Sequence, residues 1–412
     1  MKLLDAMMRR MIRNGTLRIT DAHGRVHAYG GGPGPSVAIR LTDPRLHRSL
    51  FLNPELRAGE AYMDGTLVVE QGTIRDLLVL YAVNRGGLRG HPVQRALRGG
   101  LKRARRLFQR NTRLRARANV AHHYDLSNAL YRLFLDDDLN YSCAYFLDPG
   151  DTIETAQRNK LRHVAAKLAM RPGLRVLDIG SGWGGMALYL ARHFDAQVLG
   201  VTLSEEQQAL AAERAREQGL SDRVRFELRD YRDVEGRFDR IVSIGMFEHV
   251  GLDHYPAFFA KLSALLEPDG VALLHAIGRK GGPGVTSAWL RKYIFPGGYS
   301  PALSEVMAPL ERSDLWVTDV EILRLHYAET LRAWEARFQE NRARAAALFD
   351  ERFCRMWEFY LIGSEISFRY GKHMVFQMQL AKQRDAVPLA RDYMHLAEQE
   401  LRRRDGGAAN PA

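Results

Sequence analysis

The spacing of apolar and polar positions changes character along the sequence. From Leu174 onward, short apolar runs alternate with helical ones. Leu174–Ile179, Gln197–Val201, Val224–Leu228, Asp239–Ile244 and Val271–Ile277 read as strands, with Met186–His193 and Ser204–Gln218 as helices between the earlier ones. Strands and helices alternating at this length predict a doubly wound, mostly parallel sheet with helices on both faces, a Rossmann-like α/β fold. Trp316–Leu325 and Met374–Leu380 alternate enough to be late strands of the same sheet. Tyr327–Tyr370, between them, reads as helical and rich in aromatics. The first 85 residues are different. Met1–Met11 fits an amphipathic helix, and Leu17–Ile19, Val37–Leu41 and Thr66–Val69 are short strand-like runs, with a turn at Gly30–Pro35.

This pattern divides the sequence into a smaller N-terminal α+β domain over 1–85, a linker over 86–120, a large α/β domain over 121–395 and a charged, flexible tail over 396–412. A helical lid is expected as an insertion around 327–371. Charge sharpens the linker. The net charge is +12, and the stretch from Leu77 to Tyr124 has twelve Lys or Arg and no acidic residue, so the remainder is balanced. Gly86, Gly87, Gly90 and Pro92 are expected to separate it from what precedes. Leu97, Leu101, Ala104 and Phe108 then recur at helical spacing among arginines. That is a basic amphipathic helix, suited to an anionic surface and equally to a solvated linker. Two cysteines, Cys143 and Cys354, lie far apart without CxxC spacing, which argues against a disulfide framework or a zinc site and fits a reducing cytoplasm. No apolar run is long enough to span a bilayer.

Candidate chemistry begins at Val176–Gly185, VLDIGSGWGG. Gly180, Ser181, Gly182 and Gly184 follow a strand and precede a helix, where a tight turn lets a nucleotide approach the backbone. The spacing is DxGxGxGG rather than GxGxxG, and Asp178 precedes the turn. A carboxylate there can orient the cationic methionine end of S-adenosylmethionine, so the pattern points to a class I methyltransferase. The second strand ends in Thr202-Leu203-Ser204 with no acid for the ribose, which leaves Thr202 and Gln207 to supply polar contacts. Ser204 and Gln207 also fit a helix cap. Asp230-Tyr231-Arg232, after the third strand, falls where the adenine would lie, and Tyr231 could stack on it. Glu248 follows the fourth strand and His275 lies near the end of the fifth, on the side where this fold places ligands. Taken singly, Glu248 reads better as a helix-terminal acid and His275 as a core histidine; taken with Tyr141–Phe146 upstream and Tyr327 downstream, the functional reading is favoured.

Several separated motifs, in order, resemble the cyclopropane-fatty-acid-phospholipid synthase family, which includes the mycolic acid cyclopropane synthases. They are His122-His123-Tyr124-Asp125, Tyr141-Ser142-Cys143-Ala144-Tyr145-Phe146, Val176–Gly185, Gly200–Gln207, Gly245–Val250, Leu274–Gly278 and Lys292–Gly298. The resemblance covers about Ala121 to Lys382. It implies methyl transfer from S-adenosylmethionine to the double bond of an unsaturated acyl chain, then ring closure through a carbocation. It also implies Tyr141 and Ser142 at the cofactor, and a bound bicarbonate as base, held by Cys143, Glu248, His275, the backbone of Ile277, and Tyr327. An alkene is a poor nucleophile and water traps its cation, so such a site must be dry and must hold a weak base near the new methyl. The aromatic helices around Trp334–Phe338 and Phe353–Tyr370 would wall an acyl tunnel. One departure concerns a cysteine some members carry in the aromatic C-terminal helix, because Ser364 stands at the matching position here.

The implied partners are unsaturated phospholipid acyl chains and an anionic membrane surface docked by Arg103, Arg105, Arg106 and Arg110. The protein is then expected in the cytoplasm, peripheral to the inner face of the membrane, with no metal and with a homodimer as one open assembly. The alternative within the same chemistry is a methyltransferase that alkylates a carbon of the acyl group and gives a methyl-branched or methylene product without a ring. A nucleic-acid methyltransferase is disfavoured, because no Asp/Asn-Pro-Pro-Tyr or Pro-Cys motif occurs and aromatics do not interleave with the arginines. A non-catalytic lipid binder is disfavoured because every implied ligand is present.

Overall fold

The computed structural model describes residues 1–89 and 127–407. The protein forms two compact units. One comprises residues 1–108, 284–296 and 331–372, and the other 109–283, 297–330 and 373–412.

In the first unit, β1 (Thr16–Thr20), β2 (Val26–Gly30), β3 (Ser36–Leu41) and β4 (Leu67–Gln71) form a sheet of order β2-β1-β3-β4. Helix Lys2–Met11 lays Leu4, Met7, Met8 and Met11 against Leu17, Ile19, Val37 and Ile39, as its amphipathic spacing requires. The later segments join the same unit. Trp289 and Tyr62 both pack on Phe359, at 4.8 and 6.2 Å between ring centroids. Arg75 pairs with both Glu335 and Glu365. The helical stretch expected as a lid on the α/β domain is therefore three helices, His326–Glu340, Arg342–Leu348 and Glu351–Arg369, and from Leu331 it belongs to the unit built on the N-terminal sheet. The expected break at Gly86 and Gly87 does not occur: helix Ile74–Arg89 runs through both. Buried Leu80, Ala82 and Asn84 anchor it, and packing of that kind outweighs the roughly 1 kcal/mol each helical glycine costs.

In the second unit, β5 (Arg175–Ile179), β6 (Gln197–Thr202), β7 (Val224–Leu228), β8 (Phe238–Ile244), β9 (Leu266–Arg279), β10 (Trp316–Leu323) and β11 (His373–Ala381) form one sheet of order β10-β11-β9-β8-β5-β6-β7. β5 to β9 run parallel, and β11 is antiparallel to both β9 and β10. All seven strands expected from the sequence pattern are present. Both faces are covered. Val176 of β5 packs with Leu161, Val164 and Leu188, while its neighbour Leu177 faces Phe258, Phe259 and Leu262 on the other side. β5 is the switch point of the sheet, with β6 and β7 to one side and β8 and β9 to the other. Ligands of such sheets bind beyond the strand ends there.

The segment after 396 is not a flexible tail as far as it is described. Helix Asp392–Gly407 buries Met394 and Leu401, and its Glu398 and Asp405 pair with His163 and Arg162 of helix Ile153–Lys167. The arginines that made it look like a solvated tail alternate with these anchors.

Candidate active site

The loop after β5 and the loop after β8 frame a pocket at this switch point. Gly182 has φ +54°, and a Cβ there would meet nothing within 4 Å, so the glycine leaves room that a ligand can occupy. Asp178, Gly180, Ser181, Gly182, Thr202, Leu203, Gln207, Asp230, Tyr231 and Arg232 all line this pocket, as do Tyr141 and Ser142 from the loop before helix Ile153–Lys167. Gly184 and Ser204, expected at the cofactor, are not on its wall. Gly184 sits at φ +85°, with space for no side chain because a Cβ would lie 2.6 Å from Phe226. Ser204 caps helix Glu205–Glu217 by accepting the Gln207 backbone N–H. Gln207 itself takes part in the wall: Thr202 Oγ1 donates to its Oε1 at 2.9 Å, which leaves the amide Nε2 to offer a ribose hydroxyl.

The polar groups fit S-adenosylmethionine. Asp178 is buried, and its Oδ2 has no hydrogen-bond partner among the described residues; the same holds for Ser181 Oγ. Burial pushes the Asp178 carboxyl up to about 7, against the opposing pull of Lys160. A cationic ligand group would supply the missing partner. Arg232 chelates Asp230 and lies over the Tyr231 ring, 5.8 Å from its centroid, which fixes Tyr231 at the pocket edge.

Three further polar residues line or support this pocket. Lys160 is buried on the wall; its Nζ donates to Asn140 Oδ1 at 2.8 Å, and Asn140 Nδ2 donates to Asp136. Burial draws Lys160 down to about 8, against Asp136 and Asp178, which favour its charge. Gln157 Nε2 donates to the carbonyls of Asn140 and Ser142, tying the Tyr141 segment to helix Ile153–Lys167. Half-buried His249 also lines the pocket, and desolvation lowers it to about 4.

The implied base ligands fall into two linked groups. Glu248, in the turn after β8, accepts the Ile277 N–H at 2.6 Å through Oε1. Its Oε2 is buried with no partner among the described residues, and burial raises the acid to about 7, partly offset by the Ile277 N–H. The Ile277 N–H expected at the base thus serves Glu248 here. His275 is buried one β-step away on the same strand, and burial, followed by Lys160 and Lys167, lowers it to about 3. Cys143 and Tyr327 belong to the second group. The Ala144 N–H donates to Thr330 Oγ1 at 3.0 Å, and Tyr145 is sandwiched between the rings of His163 and His326, at 4.1 and 4.6 Å. These contacts dock the Cys143 segment on the turn that carries Tyr327. Burial drives the Cys143 thiol far above its ordinary range, so it is no thiolate nucleophile. Lys160, on the pocket wall, acts electrostatically on Asp178, Cys143 and His275 alike.

Trp334, Phe338, Trp357 and Tyr360 of the aromatic helices are buried, with Phe353 stacked on Phe349 at 4.0 Å. Arg103, Arg105, Arg106 and Arg110, and the motif His122–Asp125, lie outside the described residues.

Sheet order, glycine turn and a pocket with an unpaired buried carboxylate define an S-adenosylmethionine-dependent methyltransferase of class I. Within that class the chain belongs to the mycolic acid cyclopropane synthetase family, whose model matches residues 111–378. The cyclopropane-fatty-acyl-phospholipid synthase of Escherichia coli K12 is 38% identical over 347 residues, covering 84% of this chain and 87% of its own. The tuberculostearic acid methyltransferase UfaA1 of Mycobacterium tuberculosis is 37% identical over 397 residues, covering 92% and 91%. Among solved structures, the mycolic acid cyclopropane synthase CmaA1 complexed with SAH and CTAB aligns with a TM-score of 0.60 at 35% identity, over 64% of this chain and 97% of that one.

Proposed function

We propose that this enzyme adds a methylene bridge across the double bond of an unsaturated phospholipid acyl chain, giving a cyclopropane fatty acid. The observation that carries this reading is Glu248, a buried carboxylate with one oxygen fixed by the Ile277 N–H and the other unpartnered among the described residues, on the strand ends beside His275. S-adenosylmethionine supplies an electrophilic methyl when bound, held by Asp178, Gln207 and the glycine turn. Bicarbonate would supply a weak base, for which Glu248 offers an acceptor and His275 a donor, with Cys143 and Tyr327 completing the set and the Ile277 N–H orienting Glu248. The acyl chain gains a methyl on one alkene carbon and positive charge on the other. Loss of one methyl proton then lets the C–H electron pair close the ring. The buried surroundings exclude the water that would trap the cation.

Lipid analysis after expression in a host without cyclopropane fatty acids tests this. The expected result is acyl chains heavier by one CH2 unit that no longer take up hydrogen at the former double bond. Unchanged acyl chains overturn the reading. A heavier product that retains a C=C identifies the second reading, methylation at carbon to a methylene product. The similarity to UfaA1, named as a methyltransferase and not as a synthase of rings, favours keeping it.

The arginine stretch gives the enzyme its surface. No helix among the described residues is long and apolar enough to cross a membrane, and we infer that docking is electrostatic. Each basic residue near an anionic bilayer contributes about 1 kcal/mol. Replacing Arg103, Arg105 and Arg106 by Glu should therefore weaken binding to anionic vesicles by about a hundredfold or more. Vesicle co-sedimentation measures it, and added salt should weaken the parent likewise. Equal sedimentation of parent and variant at low salt refutes docking through this stretch.

A further inference from the structure

His275 stands in a row of side chains that crosses three strands. The registers pair Glu321 of β10 with Gln377 of β11, and Gln377 with His275 of β9. Directly paired residues project to the same face of a sheet, so the three side chains adjoin. Lys167, at the end of helix Ile153–Lys167, reaches into the row. Its Nζ donates to Gln377 Oε1 at 2.8 Å and also pairs with Glu321, while Asp319 lies 3.8 Å away. Gln377 Nε2 lies 3.1 Å from His275 Nδ1. Gln377, His275 and Lys167 are all buried.

Hydrogen-bond chemistry fixes the direction of every link. A lysine ammonium donates and never accepts, and two carboxylates hold the charge on Lys167. Gln377 must therefore turn its carbonyl oxygen to Lys167 and its NH2 to the histidine. An amide NH2 donates only, so His275 Nδ1 must present a lone pair. The single N–H of the neutral ring is then on Nε2, at the opposite edge of the imidazole.

We propose that Gln377 is a positioning residue that locks His275 as its Nε2–H tautomer, and that Lys167 sets the orientation of the Gln377 amide. The consequence for chemistry is specific. Nε2 already carries a proton, and the Nδ1 lone pair is taken by Gln377. His275 is thereby confined to donating a hydrogen bond to an anionic oxygen and is not the base that removes the methyl proton. This rests on the reading of His275 as a ligand of the base site, and it complements Glu248, which presents an acceptor.

The test uses the full-length protein labelled with 15N-histidine. Long-range 1H–15N correlation spectra report which ring nitrogen bears hydrogen, and loss of one signal set in His275→Asn assigns the residue. The expected result is a single neutral tautomer protonated at Nε2. An Nδ1–H or doubly protonated ring in the parent overturns the proposal, whatever the activity. In Gln377→Glu the new carboxylate cannot donate, so Nδ1 should become protonated. Turnover should then fall by about tenfold or more while the dissociation constant for S-adenosylmethionine moves less than about twofold. A parent-like tautomer in that variant also overturns the proposal. Lys167→Met provides a second variant, in which the freed amide should leave His275 as a mixture of tautomers. Should the parent show the Nε2–H tautomer while His275→Asn turns over normally, the base-site reading fails and the tautomer assignment stands.

Discussion

Glu248→Gln is expected to leave cofactor affinity within about twofold and to cut turnover by at least about a hundredfold, within the range that general acid–base groups contribute. The substitution keeps size and shape. The new amide oxygen can still accept the Ile277 N–H now held by Oε1. The amide NH2 then lies where Oε2 now sits buried without a partner among the described residues. An acceptor becomes a donor at the one place where the proposed anion presents its own O–H. Glu248 is not on the pocket wall, although Met246, His249 and Val250 are, which is why binding should survive. Calorimetric titration with S-adenosylmethionine and release of the demethylated product measure the two effects. Near-parental turnover would falsify the role given to Glu248.

Lys160→Met should cost about 3 kcal/mol or more of stability, the scale for removing one partner of a buried charged cluster. The ammonium donates to Asn140 and offsets the buried charges of Asp136 and Asp178. Methionine fills similar volume, so chemical denaturation reports the lost polar contacts more than a cavity. A second signature is in pH. Burial holds Asp178 near 7 while Lys160 pulls it down. Cofactor binding favours the ionised carboxylate, so parental affinity should rise as pH rises through about 7. Without Lys160 the acid moves higher, and the same rise should shift to more alkaline pH. An unshifted profile would show that Lys160 does not act on Asp178.

The parallel strands of the second unit were legible because each holds a short apolar run, closed by glycine or followed by a helical period, and the two late strands because apolar and polar residues alternate along them. β2 was missed because Val26–Gly30 is mostly exposed and carries little apolar periodicity. The tail was misread because composition records the arginines of Asp392–Gly407 and not the partners, Arg162 and His163, that its acids meet. Most of the residues expected at the cofactor line one pocket, and they were readable because they cluster at strand ends. Lys160, Lys167 and Gln377 were not, because their partners lie in other segments that only the folded structure brings together. The polar side chains of Gln377 and Gln379 within a strand buried on both faces were the available clue.

The place of β11 bears on how the molecule is made. It lies between β9 and β10 but follows both in sequence, after the segment 331–372 that joins the other unit. During synthesis, β5 to β9 and the cofactor wall emerge first, and β9 keeps an unpaired edge until β11 arrives. Such edges invite misassociation while they wait, and long-range pairings of this kind form late. The apparatus for the methyl donor can thus mature before the row that orients His275 exists. A polypeptide arrested before His373 would own a donor pocket without a finished reaction chamber.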